Sequence, residues 1–261
     1  KGVGWIYYPE HQLYGLAFVR DTTPGLVGAV PRERLQKHID LTIEILEDTL
    51  QIQSVDMAIS EYNDRGKIRH VFNPGIRFPE IYHLKLLAIG AEQCTSQQLS
   101  VVSQAIQHLV DLGPLPAAKV LHKRMCLGPA RIYPAKLGLS LAELRDSGWN
   151  RNSWADWFHT FELFARMSIV AKVPQLMSQA DELCQLLTDG NGFFEIPCSH
   201  RYYAKWSIYV GAALEDDWKE SRRKWDLTFR SLLILFYSGL LKNHIPEGVG
   251  TSYANTFKVS A

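Results

Sequence analysis

The sequence is poor in cysteine and in long apolar runs. Its four cysteines are far apart and form no Cys-x-x-Cys pair, which argues against a structural zinc site or a disulfide framework and favours a reducing cytosol. Arg230 interrupts the best candidate for a membrane-spanning helix before it reaches the roughly 20 apolar residues required. No signal-peptide pattern opens the sequence. We therefore expect a cytoplasmic protein without a membrane span.

The chain also lacks an excess of charge of either sign. The 28 basic and 27 acidic residues give a formal charge of +1, so no overall field would attract nucleic acid or an anionic membrane. The basic run Arg222-Arg223-Lys224 is short and typical of a solvated turn. We do not expect nucleic acid as a partner. With 46% apolar residues, however, a chain of 261 residues can bury a full core.

Apolar residues recur with helical spacing along most of the chain, which predicts an all-α fold. The organisation we expect is an irregular arm over 1–30, a helical domain over 31–242 and a loose tail over 243–261. Residues 57–72 are the expected exception: they read as a helix and turn or as a β-hairpin, and we favour the hairpin. Ala117 to Cys126 is interpreted as a short helix.

The stretch from Leu183 to Leu241 organises the remainder. Asp189-Gly190-Asn191-Gly192 predicts the end of a helix, because Asp and Asn tolerate left-handed backbone angles and Gly adopts them freely. Phe193 and Phe194 should then return to the core. The last helix, Trp225 to Leu240, is apolar nearly all round, so we expect it to be an inner, buried helix.

This stretch resembles one repeat of the α/α toroids, a superfamily that includes the protein prenyltransferase β subunits and the class II terpene cyclases. The resemblance covers the region around 183–241 best and the remainder only by its helical rhythm. It implies an α/α toroid-like fold (an incomplete α/α barrel) with a central apolar cavity that accepts an isoprenoid-like ligand. The residues that carry it are Gly190-Asn191-Gly192-Phe193, Pro197, Tyr202-Tyr203, Trp206, Gly211 and Tyr237-Ser238-Gly239-Leu240.

The sequence departs from both reaction types of that superfamily. His200 and Tyr202 stand where the prenyltransferase pattern has its zinc-binding Asp and Cys. Leu214-Glu215-Asp216-Asp217 lacks the first acid of the cyclase Asp-x-Asp-Asp motif. The resemblance therefore implies a fold and an apolar cavity, but no reaction. We expect no metal, whereas cofactors and whether the chain is an enzyme stay open.

Three predicted catalytic residues come from carboxylates and a histidine near helix ends. Asp156 and His159 lie three apart on one helical face and form a possible acid–base pair. The alternative is that Asp156 caps the helix and His159 is a core histidine. Asp216, flanked by a second carboxylate, could hold a proton and protonate an alkene, or it could cap a turn.

The predicted ligand-binding residues follow from the resemblance, since a toroid has its pocket at one end of the inner helices, where helix N-termini favour anions. The aromatic members could equally fill the core. The residues are Arg77, His83, Trp154, Trp157, Tyr202, Trp206, Asp226 and Arg230.

A weak internal pattern suggests repetition. A turn with Arg or Trp, then an acid, then an apolar helix recurs near 77–80, 154–157 and 223–226. It indicates either a repeat architecture or helix-capping preferences alone. Two functions are therefore open: binding or transformation of an isoprenoid-like molecule in a helical cavity, and a non-catalytic helical-repeat module that binds other macromolecules.

Overall fold

The computed structural model describes residues 32–79, 81–113, 118, 120–122, 125–127, 141, 153–196 and 220–241. The predicted arm and tail lie outside them. The described part is mostly helical, with two small antiparallel hairpins. Its helices are α1 (Arg32–Thr49), α2 (Val55–Ala58), α3 (Ile81–Ile89), α4 (Ser96–Asp111), α5 (Ser153–Arg166), α6 (Pro174–Asp189) and α7 (Glu220–Tyr237). Its strands are β1 (Ile59–Asp64), β2 (Lys67–Phe72), β3 (Val120–His122) and β4 (Met125–Leu127), and 3₁₀ turns cover Ala91–Gln93 and Val170–Lys172.

The helices pack in a succession in which α4 contacts α1, α1 contacts α3, α3 contacts α5, α5 contacts α7 and α7 contacts α6. α3 is the most enclosed of these helices, because every residue from His83 to Leu87 is buried. The closed ring of an α/α toroid stays a prediction. No helix in the described ranges is long and apolar enough to cross a membrane.

The predicted β-hairpin over 57–72 is confirmed. β1 and β2 pair antiparallel from Ile59 opposite Phe72 to Asp64 opposite Lys67. Arg65 and Gly66 form a two-residue loop with φ of 54° and 82°, the backbone twist that suits such a tight hairpin. The Asn63 side chain accepts a hydrogen bond of 2.8 Å from the Gly66 N–H and so closes the turn.

The short helix predicted over 117–126 is wrong. Val120–His122 and Met125–Leu127 are strands that pair antiparallel, with Val120 opposite Leu127. β3 lies against β2 of the first hairpin. A short apolar run is compatible with either a strand or a helix, so the elements that pack against it decide which of the two it forms.

The turn after α6 ends the helix as predicted. Asn191 and Gly192 have φ of 53° and 88°, and the Gly192 N–H donates to the Leu187 carbonyl at 2.7 Å, which closes the helix end. Phe194 returns to the core, whereas Phe193 is half-buried against Trp225. Gly190 is required for a different reason: a Cβ there would lie 2.1 Å from the Phe193 carbonyl oxygen.

The prediction that the last helix is buried all round is wrong. One face of α7 is buried as the sequence indicates, through Leu227, Ser231, Ile234 and Leu235. The opposite face carries exposed apolar side chains, Trp225 and Phe236 among them. Composition alone does not separate an inner helix from one whose second apolar face lies on the surface.

Replacing Gly190 by alanine should lower the free energy of unfolding by about 3 kcal/mol, because the new methyl group meets a backbone oxygen that a side-chain rotation cannot move. Gly192→Ala is the matched control. A Cβ there meets open space, so only the left-handed backbone is penalised, by about 1–2 kcal/mol. Urea unfolding of both variants checks this, and equal losses would contradict it.

Candidate functional site

Helix α5 presents two different faces to its neighbours. Trp154, Trp157, Phe158 and Phe161 are buried and pack ring against ring, with centroids 4.6–6.1 Å apart. His159, Glu162 and Arg166 recur at intervals of three and four residues and share another face. An aromatic wall and a polar stripe thus lie side by side on one helix.

Arg230 of α7 joins this polar stripe through two carboxylates. Its Nε donates to Asp226 Oδ1 at 2.9 Å, one turn earlier on α7, and its Nη1 donates to Glu162 Oε2 at 3.1 Å on α5. Glu162 also accepts two hydrogen bonds, of 2.7 and 3.0 Å, from Arg166. Asp226 and Arg230 are buried, and Glu162 is mostly so. These are charge-assisted bonds, which are stronger than neutral ones.

The ends of α5 and α7 meet as well. The Arg166 guanidinium lies over the ring of Tyr237, 5.1 Å from its centroid, which is a cation–π distance. Because Glu162 meets Arg230 and Arg166 meets Tyr237, the two helices run side by side in the same direction.

His159 is buried within reach of two cations. Its pKa is held well below the ordinary value of 6.5, first by burial and then by the charges of Lys85 and Arg230. The side chain as a whole is half-buried, but its Nε2 is shut off from solvent. The imidazole is therefore neutral at neutral pH. Lys85 comes from α3 and is only 2% exposed.

We name His159, Glu162, Asp226, Arg230 and Lys85 the polar cluster. Sequence reasoning missed Glu162 and Lys85. Lys85 stands in the run Leu84-Lys85-Leu86-Leu87, and a lysine inside a predicted buried helix is the signal that could have found it.

The structure brings together only some of the predicted site residues. His159, Asp226 and Arg230 are in the polar cluster. His83 is buried on α3, but it lies two residues from Lys85, and side chains so spaced do not face each other. Arg77 lies apart from the cluster, since it forms ion pairs with Glu44 and Asp48 on α1.

Both predicted tryptophans of α5 are buried in the core. Trp157 donates from Nε1 to Gln179 Oε1 of α6 at 2.7 Å, so its one polar atom is satisfied. Trp154 packs edge-on against Phe194 at 5.1 Å. Asp156 lies on α5, but its side chain is outside the described part, as are Tyr202, Trp206 and Asp216.

Within the described residues, no group of three or more His, Cys, Asp or Glu could hold a metal ion. No protein-family model matches the chain, and neither a curated protein nor a solved structure is significantly similar to it. The resemblance to the α/α toroids therefore stays a prediction from the sequence.

Arg230→Met should lower the free energy of unfolding by about 3–5 kcal/mol, because it removes the guanidinium that bonds to the buried carboxylate of Asp226. Adding Asp226→Asn should recover part of the loss. Lys224→Met is the control on the same helix: the Lys224–Glu195 pair is much more exposed, so its loss should stay below about 1 kcal/mol. Chemical denaturation measures all three, and a double variant no better than Arg230→Met would count against this account.

Stability should also depend on pH through His159. Below about pH 6.5 the unfolded chain binds a proton at this residue that the folded chain does not, so the free energy of unfolding falls as pH is lowered. The slope is at most about 1.4 kcal/mol per pH unit and ends at the folded-state pKa. His159→Gln should remove this component, whereas His70→Gln, on the exposed surface of β2, should not. Urea unfolding between about pH 7 and pH 5 tests it, and unchanged slopes in both variants would refute it.

Proposed function

We propose that this chain binds an apolar, isoprenoid-like small molecule with an anionic head group, and that the head group lies at the polar cluster. The observation that supports this most is that the charges of Lys85 and Arg230 act on His159, where after burial they are the next causes that hold its pKa below 6.5. A buried cation attracts an anion more strongly than an exposed one, because little solvent screens it.

The neighbouring aromatic wall supports the apolar part of the ligand. Trp157 and Phe158 immediately precede the polar stripe on α5 and are buried. A ligand with a charged head and a hydrocarbon body would therefore meet both kinds of surface on one helix. Ligand sites commonly combine apolar walls with a few convergent polar groups.

A proton should accompany the ligand. Burial, and then the charges of Lys85 and Arg230, hold the pKa of His159 down in the free protein. An anion next to His159 would offset those two charges, so its pKa should rise on binding. His159 would then take up a proton from solution. The same residue could act as an acid or base toward the bound molecule, which keeps a catalytic role open.

Calorimetry with farnesyl diphosphate tests the proposal. We expect binding with a Kd in the range of about 1–100 µM. Farnesol lacks the anionic head group and inorganic diphosphate lacks the hydrocarbon chain, so each should bind at least roughly tenfold more weakly. Lys85→Met should weaken binding by a similar factor, and Lys224→Met should not change it. Titrations in two buffers of different ionisation enthalpy should show proton uptake that His159→Gln abolishes. If the folded wild-type chain binds none of these molecules, the proposal is wrong.

A second candidate function is the binding of another macromolecule without catalysis. The exposed apolar face of α7 favours it, since large contiguous apolar surfaces on proteins often mark interaction sites. In that case, Asp156→Ala and Lys85→Met variants that remain folded should keep full partner binding.

A further inference from the structure

Glu162 on α5 joins two guanidinium groups through its two carboxylate oxygens. Its Oε1 accepts hydrogen bonds of 2.7 and 3.0 Å from Arg166, and its Oε2 accepts one of 3.1 Å from Arg230. Guanidinium groups bind carboxylates and phosphates through the same kind of charge-assisted N–H···O bond. The position of this carboxylate therefore suits a phosphate group as well.

Exposure increases along this network from the interior to the surface. The side chains are 3% exposed at Asp226, 11% at Arg230, 13% at Glu162 and 41% at Arg166. Arg166 thus lies where the network meets solvent. An anion that arrives from solution would meet Arg166 before it reaches Arg230.

The bond between Arg230 and Glu162 is the contact of this network that opens most easily. At 3.1 Å it is the longest of the four bonds. When it opens, Arg230 keeps Asp226 on its own helix, and Glu162 keeps Arg166 four residues later on α5. Glutamate followed by arginine at this spacing is a favourable pair on one helix. Each of the two helices then still carries an ion pair of its own.

We propose that Glu162 occupies, in the free protein, the place beside Arg230 that the anionic head group takes on binding. This inference rests on the proposed function and deepens it. Glu162 is an internal competitor, and it determines how strongly an anion binds at the polar cluster. On binding, the head group accepts the hydrogen bond from Arg230, and the Glu162 side chain turns toward Arg166 and solvent.

The competitor also determines which head groups can bind. A carboxylate attached to the protein has a high effective concentration next to its partner. A free carboxylate would only exchange one bond for a similar one, so it gains little. A diphosphate carries more negative charge and more acceptor oxygens, and it can displace Glu162. The network therefore favours phosphate or diphosphate esters over carboxylic acids.

Calorimetry on a Glu162→Gln variant tests the inference. Glutamine fills nearly the same space but lacks the charge, so it competes only weakly for Arg230. Farnesyl diphosphate and inorganic diphosphate should each bind this variant at least roughly tenfold more tightly than the wild type, because no charge-assisted bond has to be displaced. Farnesol carries no charge, so its affinity should not change.

Glu195→Gln is the matched control. Glu195 also pairs with a cation on α7, since it accepts a bond of 2.6 Å from Lys224, but this pair is much more exposed. The same change of charge should therefore leave the affinity for every probe as in the wild type. Circular dichroism establishes that the variants are folded. If Glu162→Gln does not fold, Glu162→Asp replaces it: the shorter side chain reaches less far toward Arg230, so anions should gain affinity by a smaller factor.

Farnesoic acid tests the selectivity, because it joins the hydrocarbon chain of farnesol to a carboxylate. It should bind the wild type no more tightly than farnesol does. It should bind Glu162→Gln at least roughly tenfold more tightly than farnesol does, since the competing carboxylate is gone. An equal preference for farnesoic acid over farnesol in both proteins would contradict the role of Glu162 as a competitor.

The outcomes separate this inference from the proposed function. If farnesyl diphosphate binds the wild type, and binds Glu162→Gln equally or more weakly, the inference is overturned and the proposed function stands. Binding to Glu162→Gln but not to the wild type supports the inference and contradicts the proposed function. Absence of binding to both proteins overturns both.

Discussion

A guanidinium group held away from water between two carboxylates fixes how α5 and α7 meet. Arg230 bonds to Asp226 on its own helix and to Glu162 on the neighbouring one, and Glu162 is shared with Arg166. Burying such charges is unfavourable unless each finds its partner in good geometry. A slide of one helix by a turn would break the bond to Glu162. The ion pairs therefore favour the register in which Arg230 reaches Glu162.

The same charged side chains also influence the protonation state of His159. Burial first, and then the charges of Lys85 on α3 and Arg230 on α7, hold the pKa of His159 well below 6.5, so the imidazole stays uncharged. Three helices that are far apart in the sequence thereby share one electrostatic environment. The aromatic side chains of α5 close the cluster on one side, and Phe194, delivered by the turn after α6, extends this wall. The packing of these helices thus determines which charges lie close to His159.

Much of the helical framework could be predicted from the sequence, because its signals are local. The period of Leu35, Ile39 and Leu46 defines α1, Pro174 begins α6, and Gly190 to Gly192 end it. The hairpin turn at Arg65-Gly66 is equally local. The strands β3 and β4 were missed, since a short apolar run takes its conformation from what lies beside it.

The candidate site was predicted less completely, for a related reason. His159, Asp226 and Arg230 could be identified as polar residues within apolar helices, but Lys85 and Glu162 matter because of partners on other helices. Burial of one face of α7 followed from its periodicity, whereas exposure of the other face depends on which elements cover it. The periodicity of a sequence does not show which other elements cover a given face of a helix.

Strand β1 carries acidic side chains that would oppose aggregation through its edge. Within the described residues β1 pairs only with β2, so its other edge keeps backbone groups able to bond to a strand of another molecule. Glu61 and Asp64 lie on that strand, and two such edges brought together would set carboxylates close to carboxylates. Repulsion between them would disfavour extension of the sheet from one molecule to the next.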